Sequence, residues 1–139
     1  DDLLKRASLL RRDSVHGKFS GTIRVDNDSD TLIVNGNPIK FIYASGPESF
    51  RYSDFDINKP IVIDNTGVWR DYDSLSRHIN SGASNVILTA PAKGNIKNIV
   101  YGINDNIVSD EDQIVSAASF VSNIIVLSLP SYTLWVRSR

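Results

Sequence analysis

The chain has no cysteine, no methionine and only two histidines, His16 and His78. Without cysteine there is no disulfide framework, no thiol nucleophile and no thiolate metal site. The two histidines lie far apart in sequence, without clustered acids, so no zinc site is expected. No apolar run approaches the roughly 20 residues that a membrane-spanning helix needs, and no stretch resembles a signal peptide. An excess of one charge is lacking too. A net charge of −1 gives neither nucleic acid nor an anionic membrane a reason to bind. The missing methionine carries a further expectation: a natural reading frame opens with one, so a chain that begins Asp1-Asp2 is expected to be processed, excised or part of something larger.

What is present is ordinary for one globular domain: 139 residues, 41% hydrophobic and 22% charged. The organising stretch is Pro60 to Gly94. Pro60-Ile61-Val62-Ile63 is a short β-branched run that ends at the polar break Asp64-Asn65-Thr66-Gly67. Asp71 to Ser81 sets Tyr72, Leu75 and Ile79 on one helical face at i, i+3, i+7, and Gly82 follows where a helix end favours positive φ. Asn85 to Leu88 is a second apolar run, closed by Thr89-Ala90-Pro91. Strand, helix and strand at this length form a βαβ unit with parallel strands. Apolar runs of this kind predict strands covered on both faces. Ligands of such sheets sit beyond the carboxyl ends of the strands, which here are Asp64 to Gly67 and Thr89 to Pro91.

Around this unit, Asp1 to Arg12 reads as a helix with Leu3, Leu4, Ala7 and Leu10 on one face. Asp13 to Lys18 reads as a polar turn in which His16 is a loop hydrogen-bonder. Thr22 to Val25 and Thr31 to Val34 alternate as strands across the acidic turn Asp26 to Asp30, which lacks the central glycine and terminal glutamate of a calcium loop. Asn35-Gly36 is a strong hairpin signal, because a type I′ turn needs positive φ at both central residues. Ile39 to Tyr43 is its return strand, and Phe50, Tyr52 and Phe55 are aromatics that pack the next connection. The Asn27-Asp28-Ser29 sequon carries no weight without a secretory signal. Further strands are predicted at Asn98 to Ile103 and Gln113 to Ala118, with Asp105 to Asp112 as the loop between them. The expected core includes Leu10, Ile33, Ile61, Ile63, Leu75, Ile79, Ile87, Val100 and Val115.

Five collinear blocks carry a family resemblance: LLRRDSVHGKFSGTI (Leu9 to Ile23), TLIVNGNPIKF (Thr31 to Phe41), IDNTG (Ile63 to Gly67), ILTAPAKG (Ile87 to Gly94) and VYGIN (Val100 to Asn104). In order and spacing they resemble phosphorylating glyceraldehyde-3-phosphate dehydrogenase, most closely its long-chain bacterial branch. The resemblance covers Asp1 to about Asn123. It implies an α/β fold: a partial Rossmann-like NAD-binding domain whose mixed sheet carries an antiparallel hairpin insertion. Residues 1–123 are then the distal part of that domain and 124–139 a divergent tail. It further implies NAD as cofactor, a covalent thioester mechanism in glycolysis, a homotetramer and a cytoplasmic setting. On this resemblance Asn65, Thr66, Gly67, Thr89, Ala90 and Asn123 line the dinucleotide, with no metal. Gly67 lets backbone approach the ligand, Thr66 and Thr89 offer hydroxyls, and small Ala90 leaves room for a flat ring.

The departures matter equally. The chain carries no Gly-rich pyrophosphate turn and no second strand with an acidic residue for the adenosine ribose. Ala44-Ser45 stands where many members have an arginine beside the adenine. The family's nucleophile lies in a Ser-Cys-Thr-Thr-Asn run; the matching run here is Ser119-Phe120-Val121-Ser122-Asn123, so Phe120 replaces the cysteine. Neither His16 nor His78 matches the family's catalytic base. Three readings follow. The first is a dehydrogenase fragment without catalytic machinery, binding NAD weakly or not at all. The second is a catalytically dead relative acting as a structural or binding component of an assembly. The third is an active dehydrogenase completed by another chain, against which Phe120 argues. The expected partners are the missing dehydrogenase segments or further copies of the chain.

Overall fold

The computed structural model describes residues 3–14 and 17–118. His16, Phe120, Val121, Asn123 and the tail 124–139 lie outside the described residues. The chain divides into two compact units, Asp1–Ala44 and Ser45–Arg139.

In the first unit, helix α1 (Leu3–Arg11) is followed by the short strands β1 (Arg12–Asp13) and β2 (Gly17–Lys18), which pair antiparallel. A three-stranded antiparallel sheet then orders β3 (Ile23–Asp26), β4 (Thr31–Val34) and β5 (Asn37–Lys40) consecutively. Leu3 and Ala7 of α1 bury against Ile23 and Leu32, with Phe19, Val25, Val34 and Phe41 around them. Only Leu3 and Ala7 of the predicted helix face are covered. Leu4 and Leu10 are exposed, because a two-turn helix on a three-stranded sheet has room to bury one narrow stripe. The return strand is Asn37–Lys40 rather than Ile39 to Tyr43, and it is exposed along its length. Between β4 and β5, Asn35 and Gly36 have φ of +51° and +84°, as a type I′ turn requires. The Asn35 Oδ1 also accepts the Thr22 backbone N–H at 2.9 Å, fastening the turn to the start of β3.

The second unit is built on four parallel strands in the order β6 (Ile61–Asp64), β7 (Asn85–Leu88), β9 (Ile114–Ser116) and β8 (Lys97–Asn98). Helix α2 (Tyr72–Asn80) connects β6 to β7. Asp71 caps it by accepting the Ser74 N–H at 2.9 Å, and Gly82, at φ +107°, ends it by donating to the Ile79 carbonyl. Parallel and antiparallel strands both occur, as predicted, but in separate sheets rather than in one mixed sheet. The core of this unit is Leu75, Val86, Leu88, Ile96 and Ile114, with Val62, Trp69, Ile79, Ala90 and Ala92 packed on it.

The register explains several departures from the sequence reading. Val62, Val86 and Ile114 align on one face, and Asp64, Leu88 and Ser116 align on the same face. Ile63, Ile87 and Val115 form a row on the other. Among the described residues α2 is the one α-helix of this unit, and it covers the first face. The expectation of strands covered on both sides fails: Ile61 and Ile63 are 63% and 61% exposed, and Ile87 and Val115 are half-buried. Ile33 and Val100 are also half-buried. On α2, Leu75 is buried and Ile79 partly so, but Tyr72 is exposed and His78 is buried in its place. Helical rotation of 100° per residue sets 71, 74, 75 and 78 together and turns position 72 outward. The strand predicted at Asn98 to Ile103 is reduced to Lys97–Asn98, because the Asn104 side chain takes up the strand's backbone groups. Its Oδ1 accepts from Val100 N–H and its Nδ2 donates to the Asn98 carbonyl. The loop beyond is held by Asp112, which accepts from Lys97 Nζ at 2.6 Å and Ser109 N at 2.7 Å; Lys97 foremost lowers its pKa to about 2.

The hairpin turn generates a direct prediction. No atom lies within 4 Å of a Cβ built on Gly36, so Gly36→Ala meets no clash and tests the positive φ alone. It should lower unfolding stability by about 1 kcal/mol, read as a reduced denaturant midpoint with an unchanged slope.

Candidate functional site

The parallel register places Asp64, the last residue of β6, beside Leu88, the last of β7. Their two following loops therefore leave the sheet side by side. Asp64 knits them together. Its carbonyl accepts from Thr89 N at 3.0 Å and from Thr89 Oγ1 at 3.1 Å. Its carboxylate Oδ1 accepts from Thr66 N and Thr66 Oγ1, each at 2.7 Å. Arg70 bridges the same two loops, donating from Nε and an Nη to the Pro91 carbonyl at 3.0 and 2.7 Å, while Lys93 N donates to the Arg70 carbonyl. Ser116, at the end of β9, donates to the Ala90 carbonyl at 2.7 Å.

Five of the predicted site residues thus meet at one place. Asn65, Thr66, Gly67 and Thr89 are exposed there, and Ala90 is half-buried against the core. The sixth, Asn123, lies outside the described residues. Gly67 has φ +69° with open space where a side chain would stand, so backbone is accessible at the centre of the shelf. Thr66 and Thr89 differ from the simple expectation of free hydroxyl donors. Both hydroxyl hydrogens are committed to Asp64, and Thr66 Oγ1 also accepts from Val68 N. They present oxygen lone pairs to an incoming donor. Among the described residues no cluster of three or more His, Cys, Asp or Glu side chains is arranged to hold a metal ion, and no helix is long and apolar enough to cross a membrane.

Residues 1–72 match the family model described as glyceraldehyde 3-phosphate dehydrogenase, NAD binding domain. The chain belongs to the glyceraldehyde-3-phosphate dehydrogenase family. It is 51% identical over 127 residues to a glyceraldehyde-3-phosphate dehydrogenase-like protein of Pseudomonas aeruginosa (strain UCBPP-PA14), covering 91% of this chain and 28% of that one. Over 119 residues it is 39% identical to glyceraldehyde-3-phosphate dehydrogenase of Thermotoga maritima and 34% identical to that of Bacteroides fragilis, each match covering 86% of this chain and 34% of the relative. The chain spans about a third of the length of the curated relatives it matches. The family's domain is of the Rossmann type and its cofactor is NAD; the parallel sheet with strand-end loops around Gly67 suits that assignment.

Residue reasoning alone missed three residues that hold these loops or pack beneath them. Asp64 read as one polar residue of a turn, yet its carboxylate is buried. Arg70 gave no periodic signal, because it acts through one backbone carbonyl. His78, an isolated histidine, gives no metal-site signal in the sequence. It is buried on α2 with Nδ1 3.0 Å from Tyr52 Oη and Nε2 3.7 Å from Asp64 Oδ2, and the Trp69 ring meets it edge-on at 5.8 Å. A helical wheel drawn on Leu75 would have placed it inward.

Burial holds the His78 imidazolium down more strongly than the Asp64 carboxylate supports it, so its pKa lies below the ordinary 6.5. Burial, helped by the Asp64 charge, raises the Tyr52 phenol in the other direction. Between about 6.5 and the lower folded value, the unfolded chain binds a proton that the folded chain does not. Stability should therefore fall as pH is lowered through that window and level off below it. The carboxylates held down by hydrogen bonds, Asp71 and Asp112, begin to lose their contributions only near 3.8. Melting temperatures measured from pH 7.5 to 5 should decline for the native chain and be flatter for His78→Gln; parallel profiles would contradict the assignment.

Proposed function

We propose that this chain is the distal part of the NAD-binding domain of a glyceraldehyde-3-phosphate dehydrogenase, without catalytic machinery of its own. The observation that carries the reading is the adjacency of the Asn65-Thr66-Gly67 and Thr89-Ala90-Pro91 loops at the carboxyl ends of neighbouring parallel strands. There Asn65, Thr66, Gly67, Thr89 and Ala90 line one side of the dinucleotide. The family chemistry is oxidation of an aldehyde phosphate, in which bound NAD accepts a hydride. Thr66 and Thr89 contribute acceptor oxygens, and Gly67 allows close approach of the backbone. The setting that suits this reading is cytoplasmic glycolysis.

One observation favours a second reading, a catalytically dead relative kept for binding or assembly. Phe120 stands at the nucleophile position, and an aromatic hydrocarbon cannot form a thiohemiacetal or thioester. The Pseudomonas relative is itself named dehydrogenase-like. Sequencing the gene on both sides of this segment separates the two. A Gly-rich turn upstream and a cysteine-bearing catalytic domain downstream support the fragment, and an intact chain with Phe120 supports the dead relative.

The purified chain should show no reduction of nicotinamide cofactor dependent on glyceraldehyde 3-phosphate and phosphate; a measurable rate would overturn the proposal. The chain also lacks the Gly-rich turn and the acidic residue for the adenosine ribose. Two or three absent contacts of roughly 1.5–3 kcal/mol each lower affinity by about three orders of magnitude or more, and calorimetric titration with NAD should show binding weaker than micromolar. Exposed Ile61 and Ile63 on the edge strand β6 support self-association or docking of further dehydrogenase segments. Light scattering should return a mass above that of a monomer, reduced by Ile63→Lys.

A further inference from the structure

Among the described residues of the second unit, two buried side-chain polar atoms have no hydrogen-bond partner: Asp64 Oδ2 and His78 Nε2. They face each other at 3.7 Å. That gap is too narrow to admit a bridging water, which would hold the two atoms well beyond 4 Å apart, and a small rotation would close it to a direct hydrogen bond. Leaving either atom unsatisfied costs the desolvation of that group, so closure is strongly favoured. The rest of the local network settles the proton positions. Tyr52 Oη has one hydrogen and lies 3.0 Å from His78 Nδ1. If the phenol donates there, Nδ1 is the acceptor and the ring's own hydrogen sits on Nε2, directed at the carboxylate. The other carboxylate oxygen, Oδ1, accepts both the amide and the hydroxyl of Thr66.

We infer that Tyr52, His78 and Asp64 form a buried hydrogen-bonded relay in which neutral His78, protonated on Nε2, is a positioning residue: it locks the Asp64 carboxylate so that the opposite oxygen holds the Asn65-Thr66-Gly67 loop in shape. Helix α2 and the turn Tyr52–Phe55 are thereby tied to the ligand-facing end of β6. Trp69 fixes the ring from its edge. The turn is anchored on its own account, since Tyr52 N donates to the Ser81 carbonyl at 3.1 Å and Phe50 stacks edge-on with both Tyr52 and Phe55. The phenol is therefore held in place to donate. The relay concerns loop geometry in the ligand-free chain, and rests on the cofactor reading only for its consequence for NAD.

Two substitutions divide the functions of the ring. The glutamine amide in His78→Gln can reach the Nε2 position and donate to Asp64, whereas the asparagine in His78→Asn is shorter and can replace only the Nδ1 acceptor. Both remove the aromatic ring, so loss of packing alone affects them alike. Amide hydrogen exchange at Thr66 should quicken on the order of tenfold in His78→Asn, the size of one lost buried hydrogen bond, and stay within about twofold of the native rate in His78→Gln. Equal rates in the two variants, whether both fast or both native-like, would overturn the relay. Should either variant fail to fold, nitrogen-15 spectra of the native chain decide the matter at neutral pH. A proton on His78 Nε2 supports the relay, and a proton on Nδ1 or on both nitrogens refutes it. Micromolar binding of NAD by the chain, with Thr66 behaving as described, would count against the fragment reading and leave the relay standing.

Discussion

A carboxylate taken out of water needs its lone pairs satisfied, and the second unit is arranged about one such group. Asp64 ends an edge strand with its side chain turned inward beside Leu88 and Ser116 rather than out to solvent. Burying an ionised carboxyl without partners costs far more than any single apolar contact in the core returns. Its backbone and side chain together collect four hydrogen bonds from Thr66 and Thr89. The shape of both strand-end loops follows from that collection. Removing the charge would release the loops, whereas removing either threonine would leave part of the charge unanswered.

The sheet that carries this group has two unlike faces. Leu75 of α2 packs on Val86, Leu88 and Ile114, and the helix is held in register at both ends by the Asp71 cap and Gly82. The opposite row of Ile63, Ile87 and Val115 has no helix over it among the described residues. In a dinucleotide-binding sheet both faces are normally covered, so apolar composition on this row is what a second layer would require. The strands whose ends carry the two loops thus also carry an apolar row on their other face.

Family membership and the residues that carry a family's chemistry are distinct features of a sequence. The matched domain and the strand-end geometry speak for the dinucleotide-binding half of the reaction. The acyl-transfer half depends on a thiolate, and the chain has no cysteine at any position. A shelf that accepts a cofactor and a site that breaks a bond are built from different residues, and one can persist without the other.

Local signals were legible where a single residue type answers a backbone demand. Asn35-Gly36 specifies its turn because few other pairs tolerate positive φ twice, and Asp71 and Gly82 bound α2 for similarly local reasons. Ile61 to Asp64 and Asn85 to Leu88 were readable as parallel partners because the helix between them leaves no other short connection. The blocks of family resemblance, Asn65-Thr66-Gly67 and Thr89-Ala90-Pro91 included, located the strand-end loops. Composition could not say which side of a β-branched strand is covered, since Ile61 and Val62 are equally apolar; the position of α2 decided that. Nor could sequence show that Asp64 is buried, that Asn104 ends a strand by taking its backbone partners, or that His78 lies between Tyr52 and Asp64. These contacts join residues up to 26 positions apart, and only the packing of the helix on the sheet brings them within reach of one another.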